Sequence, residues 1–363
     1  MKTLHSLFVV FILLATTAQA AVVWSKVGQQ PAAWFVTDEA RAVADNVLLY
    51  QYPSGGWPKN IDLAKPLGAA EKAELAERPH DDSTIDNGAT HTQIRFLARM
   101  AGESGDERYR AATLRGLDYL LAAQYPNGGW PQFFPLRKGY YTHITFNDDA
   151  MVRVLEVLRD TAAGSEHFAW VDEARRTRAA DAVRRGVDCI LRCQIVIDGV
   201  KTAWCAQHDE VTFAPAPARK YEHASLAGFE SVGIVRFLMS LDQPTPEVIQ
   251  AIEAAVAWLE RAKITGVRIA HPPAPELPHG HDRVVVADPA APPIWARFYE
   301  IPPVGQAAPA ANRPIFSGRD GVIRYHLAEI EAERRGGYRW YIEEPRKLLE
   351  KDYPRWRDKN KRP

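Results

Sequence analysis

The sequence predicts a mostly α fold: an incomplete α/α toroid of about four helical hairpins with long loops and short irregular strands. Three observations predict it. The turn Gln51-Tyr52-Pro53-Ser54-Gly55-Gly56-Trp57-Pro58 returns almost unchanged as Gln124-Tyr125-Pro126-Asn127-Gly128-Gly129-Trp130-Pro131. Degenerate copies follow Gln194, where Asp198-Gly199 replaces the glycine pair and Trp204 the tryptophan, and at Trp258 to Gly266, with Lys263 as the anchor. The anchors Gln51, Gln124, Gln194 and Lys263 stand 73, 70 and 69 positions apart by subtraction, the length of one helical hairpin with its loops. A hairpin cannot bury its apolar face alone, so hairpins at a constant period pack side by side and curve. An irregular helical bundle is the competing arrangement.

The elements follow in order. Lys2, the apolar run Leu7 to Ala15 and Ala18-Gln19-Ala20 read as an export signal over residues 1–20. The run is too short for the roughly 20 residues of a membrane span. Residues 21–363 are then one domain, secreted or periplasmic, with no membrane association after cleavage. Asp38 to Gln51 is helical, with an acidic start and Ala40, Val43, Ala44, Val47 and Leu48 at helical spacing. The second helix of each hairpin is expected at Ala89 to Met100, Asp148 to Arg159, Glu222 to Leu241 and Val322 to Arg334. Residues 265–313 break the pattern as a Pro- and Ala-rich insertion, with a short strand at Val284-Val285-Val286 and an extended aromatic segment, Pro292 to Glu300, lining a cleft. After Tyr338 a last helix is expected to pack before the chain end frays.

Composition narrows the partners. Lys+Arg and Asp+Glu are both 45, so no global field draws the chain to nucleic acid or membrane, and attraction for a charged ligand must be local. The chain is read as a monomer. Cys189, Cys193 and Cys205 are an odd set; Cys189 and Cys193 share a helix face, and buried thiols fit them at least as well as a disulfide.

In such an array the loops leading into the inner helices converge at one end. They carry Thr84-Ile85-Asp86-Asn87, Asn147-Asp148-Asp149, Ala218-Arg219-Lys220-Tyr221-Glu222 and Phe316-Ser317-Gly318-Arg319-Asp320-Gly321. An isolated Asp or Asn at a helix start is a cap. Two acidic and two basic lead-in loops at corresponding repeat positions suggest a site instead. Asp86, Asn87, Asp148 and Asp149 supply oxygens suited to Ca²⁺, while Arg219, Lys220, Arg297 and Arg319 face an anion. Tyr52, Tyr140, Trp204 and Tyr221 are expected as exposed platforms for sugar rings. An exported cleft with metal, arginines and aromatics points to an acidic polysaccharide.

The motifs GGWPKNID (Gly55 to Asp62), TIDNGATHTQIRFLARM (Thr84 to Met100), YPNGGWPQFFP (Tyr125 to Pro135), THITFNDDAM (Thr142 to Met151), TAWCAQHD (Thr202 to Asp209), ARKYEHASL (Ala218 to Leu226), WARFYEI (Trp295 to Ile301) and RPIFSGRDG (Arg313 to Gly321) occur in one order. Across roughly Tyr50 to Trp340 the chain resembles pectate lyases of polysaccharide lyase family 10. The resemblance implies β-elimination on α-1,4-linked polygalacturonate, with Ca²⁺ held by Asp86, Asn87 and Asp148 and bridged to a uronate carboxylate. It places Arg219 in the base position, with Lys220 beside it as the alternative titrating group, and has Arg297 and Arg319 grip neighbouring carboxylates. Lys59 and Tyr221 join the substrate-binding set. His208 and Asp209 either contact substrate or order a loop. Departures from the pattern fall at Gly305 to Ala311 and Pro272 to His281.

Two rivals use the same cleft. An inverting glycoside hydrolase of α/α-toroid type would assign Asp86 and Asp148 to proton transfer and leave Arg219 without a central role. A non-catalytic oligogalacturonide-binding protein would show affinity without turnover.

Overall fold

The computed structural model describes residues 22–303 and 312–360; the export signal and the Gly305 to Ala311 segment lie outside the described residues. The chain forms helical hairpins, each an outer helix, a turn and an inner helix. The outer helices are α1 (Asp38–Tyr50), α4 (Glu107–Ala123), α6 (Glu173–Cys193) and α8 (Pro246–Arg261); α2 (Ala69–Ala76) is a short extra on the first loop. The inner helices are α3 (His91–Ser104), α5 (Ala150–Ala163) and α7 (Gly228–Met239). Their apolar positions merge into one core running from Val27 to Trp356.

The repeat is physical. Tyr52, Tyr125, Ile195 and Ile264 each donate their N–H across the turn, to Gly56, Gly129, Ala203 and Ile294. The next residue is in every case a fully buried tryptophan: Trp57, Trp130, Trp204 and Trp295. Each indole N–H donates to the carbonyl four residues before the anchor, at Val47, Leu120, Ile190 and Leu259, over 2.7–2.8 Å. The anchor amides act between hairpins. Gln51, Gln124 and Gln194 each bond across their own turn, to Gly55, Gly128 and Thr202, and to the next outer helix at Ala112, Ala182 and Ala251. Each amide nitrogen thus commits both of its N–H donors, one within the hairpin and one to its neighbour, which fixes register as well as distance.

The fourth repeat differs from expectation in two places. Its tryptophan is Trp295, because a hairpin of Val267–Ala270 against Val284–Ala287 is spliced into the turn; Trp258 belongs to α8. Lys263 holds the anchor position without the bridging role, and pairs with Glu260. Val322 to Arg334 is not an inner helix. It forms a strand at Ile323–Arg324, a single turn at Leu327–Glu329 and the start of a short helix, Ala332–Gly337. Leu327 and Ile330 mimic helical spacing but bury into a separate aromatic cluster with Phe298, Phe316, Tyr338 and Trp340. The helical run Glu344–Asn360 instead packs on α7. The third inner helix starts at Gly228, since Ala218 to Ala227 forms a turn and a strand, Leu226–Ala227.

The expected aromatic platforms divide. Tyr52 and Trp204 are buried scaffold, whereas Tyr140 and Tyr221 remain partly open. In Pro292 to Glu300 the rings of Trp295, Phe298 and Tyr299 are core, so the segment does not line the cleft with aromatics. All three cysteines are buried free thiols.

Candidate active site

Two of the loops that lead into inner helices share one geometry. Thr84 to Ala89 precedes α3 as Thr145 to Ala150 leads into α5, and Asn87 and Asp148 take the same left-handed backbone, φ 50° and ψ 36°. Asn and Asp tolerate that conformation better than other side-chained residues. These acidic loops lie against each other. Thr84 pairs with Phe133 in a bridge, and its hydroxyl donates to the Gln132 carbonyl at 2.5 Å, locking the first loop to the second turn.

Cations cover the acids. Lys59 pairs with Asp86, whose side chain is nearly buried. The Arg297 guanidinium reaches Asp148 Oδ1 at 2.8 Å, Asn147 Oδ1 at 3.3 Å and the fully buried Glu230 at 2.5 Å. Burial works to lower the Arg297 pKa, but Glu230, Tyr338 and Asp148 leave it well above its ordinary value. Asp149 is not brought to this group. Its carboxylate lies against Gly233 of α7, 3.6 Å from Arg153, and burial pushes its pKa up to about 7.

Arg219 lies on the same cleft. Its Nε and Nη2 donate to Glu222 at 2.7 and 2.5 Å, and Glu222 also accepts from the Tyr338 hydroxyl at 2.8 Å. The Tyr338 ring sits between the two arginines, 5.8 Å from the Arg219 guanidinium carbon and 5.2 Å from that of Arg297. Hydrogen bonding to Glu222 raises the Arg219 pKa, against partial burial. A wall of rings closes the circuit back to Lys59, which stands over Phe133; Phe133 meets Tyr141 and Tyr141 meets Tyr140. Lys220 is exposed beside the Gly321 backbone. Arg319 is exposed and bonds Glu333 at 3.0 and 3.1 Å.

His208 is not a substrate contact. It is fully buried; its Nε2 accepts from the Cys205 N–H at 3.0 Å and its Nδ1 lies 2.8 Å from the Phe213 carbonyl, so it orders the loop. Asp209 caps the same loop through the Val211 and Thr212 N–H groups. His143, Asp209 and Glu210 have ligating atoms within 4.8 Å of one another, a group able to hold a metal ion that includes none of the expected donors. Phe133, Arg137, Glu222, Glu230 and Tyr338 touch the site residues without having been marked by the motifs; Glu230 is fully buried beneath Arg297, and Tyr338 lies outside every motif. Glu222 alone carried a sequence signal, its i,i+3 spacing from Arg219.

A family model described as pectic acid lyase matches residues 51–349. The chain belongs to the pectic acid lyase family. Among solved structures, the family 10 polysaccharide lyase from Cellvibrio cellulosa is 35% identical, with a TM-score of 0.72 over 90% of this chain and 95% of that one. A point mutant of that lyase in complex with trigalacturonic acid is 34% identical, with a TM-score of 0.72 over 91% and 98%. No match was found among curated proteins. Membership makes this chain a polysaccharide lyase of mostly α, toroidal architecture, and the hydrolase and binding-protein rivals lose their ground. No helix among the described residues is long and apolar enough to cross a membrane.

Proposed function

We propose that this pectic acid lyase cleaves polygalacturonate by β-elimination, with Arg219 taking the C5 proton and Asp86, Asn87 and Asp148 holding Ca²⁺. The observation that supports the reading is the single ring of Tyr338, which lies near both Arg219 and the Arg297–Asp148 pair, as a base and carboxylates sharing one cleft would require. The donor set suits a hard cation: two carboxylates and an amide, all oxygen, on two abutting loops with matched backbone. Bound there, Ca²⁺ would supply positive charge that makes the C5 proton of a uronate in the cleft more acidic.

The protein's own residues do the rest. With Asp86, Asn87 and Asp148 holding the ion, Lys59 and Arg297, which pair with Asp86 and Asp148 here, would be available to grip uronate carboxylates, Arg297 keeping its pair with Glu230. In this reading the exposed Lys220 and Arg319 meet more distant carboxylates, with Tyr140 and Tyr221 as partial platforms. Arg219 removes the proton from C5, the C4–O bond breaks, a C4–C5 double bond forms, and the departing oxygen is protonated from water. A guanidinium paired with Glu222 keeps its proton at neutral pH, so turnover is expected at alkaline pH. Residues 1–20 direct export in this reading.

The test is the ultraviolet absorbance of the unsaturated product when purified protein meets polygalacturonate at alkaline pH. A rise that a chelator abolishes and Ca²⁺ restores is expected. Release of reducing ends without the absorbance, in folded protein, would overturn the reaction.

A further inference from the structure

We propose that Glu222 and Tyr338 are positioning residues for Arg219: together they hold one edge of its guanidinium so that the remaining edge is presented to the substrate. The proposal rests on the reading of Arg219 as the group that takes the C5 proton.

The geometry is specific. Glu222 engages Nε and Nη2 of Arg219 at 2.7 and 2.5 Å, the fork-on-carboxylate arrangement that fixes a guanidinium in plane and in direction. Nη1 is left uncommitted to any described acceptor, and the Arg219 side chain is 48% exposed while that of Glu222 is 8% exposed. The clamp is therefore anchored on the buried side and its load is open to the cleft. Glu222 is itself fixed twice. The Tyr338 hydroxyl donates to the oxygen that also takes Nη2, and the backbone closes a tight turn in which Glu222 N–H donates to Arg219 C=O at 2.7 Å and Ala218 N–H to Glu222 C=O at 2.9 Å. Tyr338 buries its ring between Arg219 and Arg297, so one side chain sets the spacing of base and carboxylate grip.

The arrangement has a chemical consequence. An unclamped arginine on a surface turn samples many rotamers, and misplacing a reacting nitrogen by about 1 Å costs on the order of 10²-fold in rate. The carboxylate that prevents this also keeps the proton on Arg219, since the ion pair favours the charged guanidinium. Orientation and basicity thus pull in opposite directions on one residue, and variants can separate them.

The experiment measures kcat and KM on polygalacturonate at saturating Ca²⁺ across pH for Glu222→Ala, Glu222→Gln, Tyr338→Phe and Arg219→Ala, with thermal melts to confirm folding. Glu222→Ala is expected to lower kcat by about 10²-fold with KM within about 3-fold, the signature of an interaction used in the transition state. Glu222→Gln keeps the shape without the charge. It should lose less turnover, and its rate should stop rising at lower pH than in the parent protein. Tyr338→Phe should lower kcat by about 5-fold, as loss of one hydrogen bond behind the clamp. If Glu222→Ala does not fold, the isosteric Glu222→Gln carries the same test. Parental kcat and pH profile in both Glu222 variants, with Arg219→Ala inactive, overturns the positioning role alone. Turnover retained by Arg219→Ala overturns the base assignment and the proposal with it.

Discussion

The first two repeats and the last two close the same turn with very different amounts of chain. Tyr52 meets Gly56 and Tyr125 meets Gly129, whereas Ile195 must reach Ala203 and Ile264 must reach Ile294 across a β-hairpin. The tryptophan-to-carbonyl bond is nevertheless the same length in all four, within 2.7–2.8 Å. The chemistry divides along the same line. The tight repeats feed the acidic loops with Asp86, Asn87 and Asp148, and the stretched repeats deliver Arg219, Arg297 and Arg319. A scaffold whose closure is held by buried indoles and amides tolerates insertion beyond the closure point, since loop length costs little once the ends are fixed. Acidic loops from one half of the array and arginines from the other thereby meet directly, as Arg297 does on Asp148 at 2.8 Å, on an unaltered framework.

The largest effect that tests this division is on turnover, from one residue of each half. Arg219→Lys keeps the charge and is expected to bind polygalacturonate while losing about 10²–10⁴-fold in kcat, the range for a displaced acid–base group. Asp148→Ala should lose about 10²–10³-fold and raise the Ca²⁺ concentration needed for half-maximal rate, as one electrostatic ligand is removed. Normal turnover in the lysine variant would remove Arg219 as the base. An unchanged Ca²⁺ requirement in Asp148→Ala would move the metal elsewhere, with His143, Asp209 and Glu210 the next group to examine.

Next comes stability, where tight and stretched turns should respond differently to the same change. Gly128 and Gly199 both have positive φ, +92° and +79°. An alanine Cβ at Gly128 would run into the Arg185 carbonyl, whereas at Gly199 nothing lies within 4 Å. Gly199→Ala should therefore cost only about 1–2 kcal/mol for the left-handed backbone. Gly128→Ala should add about 1–3 kcal/mol of overpacking to that. Urea midpoints compare the two directly, and equal losses would show that the tight turn can shift away from α6.

A smaller effect follows from His208, whose loop belongs to the stretched third repeat. Burial lowers its pKa from 6.5 to about 4. Between those values the unfolded chain binds a proton that the folded chain refuses, so stability rises with pH there and is lost as pH falls from 6.5 toward 4. Below about 4 the loss is complete. His208→Gln should be less stable at neutral pH, through its poorer fit between the Cys205 N–H and the Phe213 carbonyl. Its stability should also be flatter between pH 6.5 and 4. A parallel pH dependence in both proteins would place the acid sensitivity in another group.

What could be read from the sequence follows from how locally each feature is encoded. The Gln, Gly-Gly and Trp positions specify the turn by their own chemistry, and hence the period, the toroid and the convergence of the loops that follow. Trp295 was hidden because the inserted hairpin separates it from its anchor, so only the hydrogen bond to Leu259 reveals the register. Val322 to Arg334 misled because Leu327 and Ile330 satisfy helical spacing while serving a separate cluster. Tyr52 and Trp204 looked like platforms because composition does not distinguish a ring that covers a sugar from one that plugs a turn. Lys59 on Asp86 and Arg297 on Asp148 join residues 27 and 149 positions apart, beyond any spacing rule. Asp149 reads as part of a carboxylate pair, but its left-handed backbone directs it to α7.

The smallest effect separates the inner and outer members of the cationic half. Arg297 is buried against Glu230 and Asp148, whereas Arg319 is exposed and paired with Glu333. A solvated pair contributes about 0–1 kcal/mol, so Arg319→Ala should leave the melting temperature almost unchanged. If its guanidinium holds a carboxylate far from the reacting bond, it contributes to binding equally in ground and transition states. The expected result is then a KM raised by about 3-fold at unchanged kcat, with the rise disappearing on substrates too short to reach it. A fall in kcat would instead bring Arg319 into the transition state and extend the reacting centre to the outer loop. No change on any chain length would confine the cationic half to Arg219, Lys220 and Arg297.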